Sequence, residues 1–159
     1  MDRVIAAVAL GSNVGDRRAH LDFAVARLRP LLAHPKISRY YETDPIGIVG
    51  PQTPFLNAAA VGETTLTARQ MLDALMAIED ARGRERPHPN APRTLDLDLI
   101  LFGDLVIDEP GLVVPHPRFR ERRFVLEPLA EIAPDLRDPV TGQSISVLTA
   151  ASRPIARGC

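Results

Sequence analysis

One stretch narrows the fold before any other: Pro92-Arg93-Thr94-Leu95-Asp96-Leu97-Asp98-Leu99-Ile100-Leu101-Phe102-Gly103. Its centre alternates apolar and acidic residues with period two, the pattern of a half-buried β-strand. Side chains two apart on a strand share a face, so Asp96 and Asp98 point one way and Leu95, Leu97 and Leu99 the other. At ~3.3 Å per residue the two carboxylates start ~6.6 Å apart. At an effective dielectric of ~20 they repel by ~2.5 kcal/mol. Asp is also disfavoured in strands. A hard divalent cation offsets both costs, because carboxylate oxygens are the ligands that Mg²⁺ takes. Standing alone, an Asp-x-Asp pair is more often the wet face of an amphipathic strand. Here Pro92-Arg93 and the arginine-rich approach favour a site for a polyanion.

A chain of 159 residues fits one domain, residues 1–159, with a core of its own. Hydrophobic residues at 45% and charged residues at 25% match a globular protein. The net charge of -1 gives no global field to draw nucleic acid or an anionic membrane, so neither is expected as a partner. Lys36 is the only lysine, and a P-loop needs Gly-Lys-Ser/Thr, so a Walker-type nucleotide site is excluded. Cys159 is the only cysteine, which excludes an internal disulfide framework or a cysteine-built zinc site. It is compatible with a reducing compartment, and a cytoplasmic location is expected. The apolar run 4–10 is too short to span a membrane. It reads as a buried first strand, because Gly11-Ser12-Asn13 turns the chain and a helical pattern follows.

Asp16 is placed to cap that helix, expected over residues 17–32, with Leu21, Ala24, Val25, Leu28, Leu31 and Leu32 at helical spacing. Residues 36–43 read as a strand ended by Asp44-Pro45, and residues 46–54 as a loop. Residues 55–63 give a third strand. Thr67 caps a second helix over residues 68–82, with Met71, Leu72, Leu75, Met76 and Ile78 on its buried stripe. The polar segment 83–92 is a surface loop of the kind that serves as a lid. After the acidic strand come a short strand at Val106-Ile107 and a second basic loop with His116, Arg118, Arg120, Arg122 and Arg123. A third helix follows over residues 124–132, and a frayed tail from about Ser152. The order βαββαβ implies an α+β ferredoxin-like sandwich. Its sheet is mostly antiparallel, helices cover one face, and a C-terminal extension follows.

A carboxylate pair between two arginine-rich loops is what a nucleoside triphosphate needs. Mg²⁺ bridges some phosphate oxygens, and guanidinium groups form bidentate, charge-assisted bonds to others. Phosphoryl-type transfer is mainly positioning and charge neutralisation, so no protein nucleophile is required.

At these residues the chain resembles the 6-hydroxymethyl-7,8-dihydropterin pyrophosphokinases of folate biosynthesis. The anchors are Ala9-Leu10-Gly11-Ser12-Asn13, residues 43–47, Phe55-Leu56-Asn57-Ala58-Ala59, Ile78-Glu79, residues 92–103, Val114-Pro115-His116 and Phe124 with Pro128-Leu129 and Glu131-Ile132-Ala133-Pro134. The resemblance runs over roughly residues 4–148. It implies a ferredoxin-like fold and an ATP-dependent diphosphotransferase. The β,γ-diphosphoryl group of ATP would pass to the pterin hydroxymethyl oxygen, with release of AMP. It further implies that Asp96 and Asp98 hold two Mg²⁺ ions, and that Arg84 and Arg93 act with them in catalysis. Glu79, Arg84, Arg86, Arg93, His116 and Arg122 would contact ATP. Phe55 and Phe124 would hold the flat pterin, Asn57 would read its edge, and Thr43, Pro45 and Ile46 would complete that edge. A monomer acting on small-molecule substrates is the family expectation. Pro89-Asn90, Met76, Gly111 and Pro117 depart from residues common in the family, all near the nucleotide side or the lid.

Without the resemblance, Asn57 reads as a strand-end residue, Phe55 and Phe124 as core, His116 as a loop histidine and the arginines as a solvated face. Two other classes remain open to the residues alone. One is a Mg²⁺-dependent phosphodiesterase or nuclease, which wants further acidic ligands and a basic track. The other is a ferredoxin-like nucleic-acid-binding module, which wants exposed strand aromatics; aromatic residues are only 4% of this chain.

Overall fold

A computed structural model of the chain describes residues 3–43, 54–83 and 94–152. β1 (Val4–Ser12) is buried from Ala6 onward because it lies between two partners. It pairs antiparallel with β4 (Phe55–Thr64) on one side and β5 (Asp96–Phe102) on the other. The far edge of β4 carries first β2 (Ala33–Ile37) and then β3 (Tyr41–Thr43). The sheet order is β2-β4-β1-β5, with β3 beside β4, and every pairing is antiparallel. The chain is therefore α+β, as expected.

Local sequence explains most boundaries. Asp16 caps α1 (Arg17–Leu28) by accepting the Ala19 N–H at 3.1 Å. Thr67 and Gln70 form a reciprocal capping box at the start of α2 (Ala68–Ala81). The first helix was expected to reach residue 32, but it ends at Leu28 and closes as a 3₁₀ turn at Arg29–Leu31. Pro30 has no N–H to donate and its ring crowds the carbonyl four residues back, so the α-helix cannot pass through it.

The single strand expected over residues 36–43 is instead β2 and β3 with a break between. Ile37 pairs with Ala60 and Tyr41 with Asn57, so three residues face two across the gap. Ser38 fills the mismatch: its N–H donates to Ala59 O at 2.9 Å and its hydroxyl accepts the Ala59 N–H at 2.8 Å. The short strand expected at Val106-Ile107 is β6 (Ile107–Glu109). It forms a separate hairpin with β7 (Leu112–Val114), turned by Gly111 in the left-handed region at φ 79°.

Helices cover both faces of the sheet, not one. On the first face, Ala6, Val8, Leu10, Leu97 and Leu99 pack against Leu21, Ala24 and Leu28 of α1 and Met71, Leu75 and Ile78 of α2. On the second, Ala7, Ala9, Ala59, Val61, Ile100 and Leu101 meet α3 (Arg123–Ile132) and α4 (Ile145–Ala151) through Val125, Leu126, Leu129, Ile145 and Leu148. The β1–β5 register shift between Ala7 and Val8 enlarges this second core. That bulge puts both Ile100 and Leu101 on the side where Asp96 and Asp98 point, so the acidic face turns apolar partway along the strand. Ser152, where a frayed tail was expected to begin, accepts hydrogen bonds from Arg123 through its carbonyl at 3.1 Å and its hydroxyl at 3.0 Å. Among the described residues no helix is long and apolar enough to cross a membrane.

Candidate active site

The second face of the sheet runs out of helical cover at one end. There a row crosses four strands in register: Tyr41 opposite Asn57, Asn57 opposite Gly11, Gly11 opposite Asp96. Two residues along β1, Ala9 lies opposite both Ala59 and Asp98. Side chains facing one another across antiparallel strands project to the same side. Asn57, Asp96 and Asp98 therefore rise from one floor whose middle, Gly11 and Ala9, is nearly bare. A Cβ on Gly11 would come 3.2 Å from Asn57 Oδ1, tighter than ordinary contact. With strands ~4.8 Å apart, the gap over Gly11 holds Asn57 and Asp96 on the order of 10 Å apart.

A cavity of about 520 Å³ opens on this floor. That size is within the range of pockets for small ligands. Among the expected site residues it brings together Thr43, Phe55, Asn57, Asp96, Asp98, Arg122 and Phe124. Phe55 and Thr43 face each other across β3 and β4, and Phe124 comes from the first turn of α3. The Asn57 side-chain amide donates to Thr43 Oγ1 at 2.6 Å, which fixes the rotation of a side chain only 5% exposed. Arg122 lies over the Phe124 ring, 5.7 Å from its centre, so a guanidinium caps the aromatic side of the cavity. The two aspartates line the same cavity.

The cavity also includes Gly11, Arg118 and Glu121, none of which was individually expected to bind a ligand. Glu121 follows an arginine run and pairs with Arg118 at 3.7 Å, both largely exposed. Gly11 was expected to open a turn after a strand over residues 4–10, but β1 runs on through Ser12 and carries Gly11 into the floor.

Two expected ATP contacts stand outside this lining. Glu79, on α2 and 8% exposed, accepts the Leu97 N–H at 2.8 Å. It thus grips the backbone of β5 between the two aspartates. His116 follows the cis Val114-Pro115 bond, and its Nδ1 accepts the Arg118 N–H at 3.2 Å. Burial holds the His116 imidazole below its ordinary pKa, and Arg122 and Arg118 push the same way against Asp96. Arg84, Arg86, Arg93, Pro45 and Ile46 lie outside the described residues.

Two clamps hold the walls. Tyr41 donates to Glu131 Oε1 at 2.6 Å and the Arg39 N–H donates to Glu131 Oε2 at 3.1 Å, tying the stem of β3 to α3. The 3₁₀ turn Phe119–Glu121, whose flanks carry Arg118 and Arg122, is fixed by Phe119, which is fully buried in the second core. Its neighbour Arg120 reaches Asp138 through Nε at 2.5 Å and Nη2 at 2.9 Å.

Asp96 and Asp98 are half-buried, adjacent on one strand face, and open to the same cavity as two arginines. Hard oxygen donors in that arrangement fit Mg²⁺, which binds through one or two carboxylates and completes its shell with water and phosphate oxygens. Among the described residues no cluster of three or more His, Cys, Asp or Glu residues forms an all-protein metal cage.

The profile of the 7,8-dihydro-6-hydroxymethylpterin-pyrophosphokinase (HPPK) family matches residues 7–134. The 2-amino-4-hydroxy-6-hydroxymethyldihydropteridine pyrophosphokinase of Bacillus subtilis is 45% identical over 139 residues, covering 86% of this chain and 83% of that protein. The folic acid synthesis protein fol1 of Pneumocystis carinii is 38% identical over 140 residues, covering 87% of this chain and 19% of that protein. A crystal structure of Plasmodium falciparum HPPK-DHPS, with pterin and p-hydrobenzoate, superposes with a TM-score of 0.71 over 94% of this chain. At 16% identity and 44% of that chain, the likeness to it is one of fold.

Proposed function

The chain belongs to the 7,8-dihydro-6-hydroxymethylpterin-pyrophosphokinase family, and we propose that its cavity is where the β,γ-diphosphoryl group of ATP passes to the hydroxymethyl oxygen of 6-hydroxymethyl-7,8-dihydropterin. It is a pyrophosphokinase, and its reaction serves folate biosynthesis. Membership displaces the nuclease and nucleic-acid-module readings. The observation that carries the assignment of the site is one cavity holding a carboxylate pair, two arginines, an oriented amide and two aromatic rings.

The parts divide by chemistry. Phe55 and Phe124 bound a flat slot suited to a pterin ring. Asn57, its rotation fixed by Thr43, presents an amide to the ring edge, where donors and acceptors alternate. The hydroxymethyl group then points along the floor over Gly11 and Ala9 toward the aspartates. Asp96 and Asp98 would hold Mg²⁺, two ions in this reading, which would supply charge neutralisation for the transfer. Arg122 and Arg118 reach the same space from the opposite wall and pair with phosphate oxygens. The pterin hydroxymethyl oxygen forms a bond to the β-phosphorus as its proton is released to solvent, the bond from that phosphorus to the α-phosphate oxygen breaks, and AMP leaves. Alignment and charge neutralisation suffice for such a transfer. His116, whose Nδ1 accepts the Arg118 N–H, adds a hydrogen-bonding group at the phosphate end through its other ring nitrogen. Glu79 acts by holding β5 in place, and Arg84, Arg86 and Arg93 complete the phosphate grip.

The strand order supports a ferredoxin-like βαββαβ unit, with the α3–α4 segment as its C-terminal extension. We read residues 1–159 as one catalytic domain, monomeric and cytoplasmic, with small molecules as its partners. Incubation with Mg²⁺, ATP and 6-hydroxymethyl-7,8-dihydropterin, with AMP and ADP separated, tests the reaction. Pterin-dependent AMP is the expected product. ADP would mean transfer of a single phosphoryl group and would overturn the proposal.

A further inference from the structure

We propose that Asp138 and Arg120 are positioning residues that set the reach of Arg118 and Arg122 into the cavity, so that the loop after α3 tunes nucleotide binding. This rests on the reading of that cavity end as the phosphate side. Asp138 is fully buried, an environment that disfavours a carboxylate unless it is fully partnered. Its partners are complete. Arg120 makes two parallel bonds to it, the Val140 N–H donates to Oδ1 at 3.0 Å and the Thr141 hydroxyl donates to Oδ2 at 2.9 Å. The Asp138 N–H donates in turn to Gln143 O at 2.9 Å, and the Gly142 N–H to Asp138 O at 2.8 Å. The loop is thus a rigid socket, and Arg120 is the plug.

What the plug holds is short. Arg120 is the middle residue of the turn Phe119–Glu121. Glu121 is one residue away and Arg118 and Arg122 are two, and all three are in the cavity lining. Backbone bonds from Glu121 N to Arg118 O at 3.1 Å and from Arg122 N to Phe119 O at 3.1 Å make these residues move together. Arg120 also lies over the Phe119 ring, 4.8 Å from its centre, which joins the socket to the core anchor of the same turn. A bidentate guanidinium–carboxylate pair fixes direction as well as distance, as a lysine or a neutral amide would not.

The test compares Asp138→Asn and Arg120→Lys with wild type, with Arg122→Ala as the reference for the phosphate side. Steady-state KM is measured separately for MgATP and for the pterin, and amide hydrogen exchange is followed across residues 118–122. The expected result for Asp138→Asn is a rise in the KM for MgATP on the order of tenfold with the pterin KM unchanged. Faster exchange at Glu121 and Arg122 should accompany it, with β1 still protected. Arg120→Lys should move in the same direction by less, and carries the test if Asp138→Asn does not fold. Unchanged MgATP KM and exchange in the folded variants would overturn the proposal. So would an equal rise in both KM values, the mark of general loosening. If Arg122→Ala leaves the MgATP KM unchanged while Asp138→Asn loses the local protection, the phosphate reading fails and the positioning role stands.

Discussion

The two faces of the central sheet are made from the same strands and do opposite work. Facing α1 and α2, β1 and β5 contribute Ala6, Val8, Leu10, Leu97 and Leu99 with their helices covering the whole length. Facing α3 and α4, the same strands contribute Ala7, Ala9, Gly11, Asp96 and Asp98, and helical cover stops before the aspartates. The closed face is large and apolar, as burial of ~25 cal/mol per Å² requires of a core. The open face is small along its middle and charged at its end. A strand with period two can serve both ends because its two sides are chemically independent. Both sides therefore contribute to stability, while activity should be confined to the uncovered end of one.

The largest expected break in that symmetry is Asp96→Ala or Asp98→Ala. Loss of a charge-stabilising ligand removes several kcal/mol from the transition state, so AMP formation should fall by at least ~10³-fold. The thermal midpoint should stay within ~2 °C, because half-exposed positions contribute little to folding. Steady-state turnover and a melting curve on the same sample check both halves.

The converse substitution is Leu75→Ala, in the fully buried stripe of α2. It should destabilise the fold by ~2–5 kcal/mol through transfer and cavity effects. Turnover per folded molecule should be unchanged at low temperature. Denaturant unfolding together with active-site titration would show whether the closed face is silent in catalysis; a large fall in specific activity would erase the division.

Gly11→Ala should sharpen the contrast. The added methyl meets Asn57 Oδ1 at 3.2 Å on the open face. The expected effect is a rise of about fivefold in the pterin KM, the worth of one displaced hydrogen bond. The KM for MgATP should not move.

The smallest effect is in acid. Burial alone would raise the Asp138 carboxyl, but bonds from Arg120, Val140 and Thr141 outweigh it and hold the group below its ordinary value of 3.8. A carboxyl depressed in the folded state contributes stability that is present above pH 3.8 and lost as pH falls through its lower folded value. Asp138→Asn should flatten that part of the stability–pH curve and leave its slope near neutrality alone. Urea unfolding at several pH values below 5 measures it.

The contrast also explains what was legible in the sequence. The acidic strand, the Thr67 cap and the Asp16 cap are local signals, carried by residues within four positions of one another, and the structure has them where expected. The second covered face was not legible. It is enlarged by a bulge at Ile100 that changes which side of β5 is apolar, and no propensity marks a bulge. The break at Ser38 is similar, because a serine hydroxyl standing in for a strand acceptor looks like any other serine. Helix α4 escaped because only Ile145 and Leu148 are buried in its seven residues, too few for a period. Of the site, the aspartates, aromatics and Asn57 could be named from motif resemblance. Arg120 with Asp138 could not, since a pair eighteen residues apart becomes visible only when the chain returns on itself.

The most direct test of an open face divided between pterin and nucleotide is a crystal structure with Mg²⁺, 6-hydroxymethylpterin and α,β-methylene-ATP, whose bridging carbon blocks the breaking bond. The account predicts metal on Asp96 and Asp98, the pterin ring between Phe55 and Phe124 with its edge on Asn57, and phosphates against Arg122. Pterin seated away from Asn57, or metal bound without either aspartate, would contradict it.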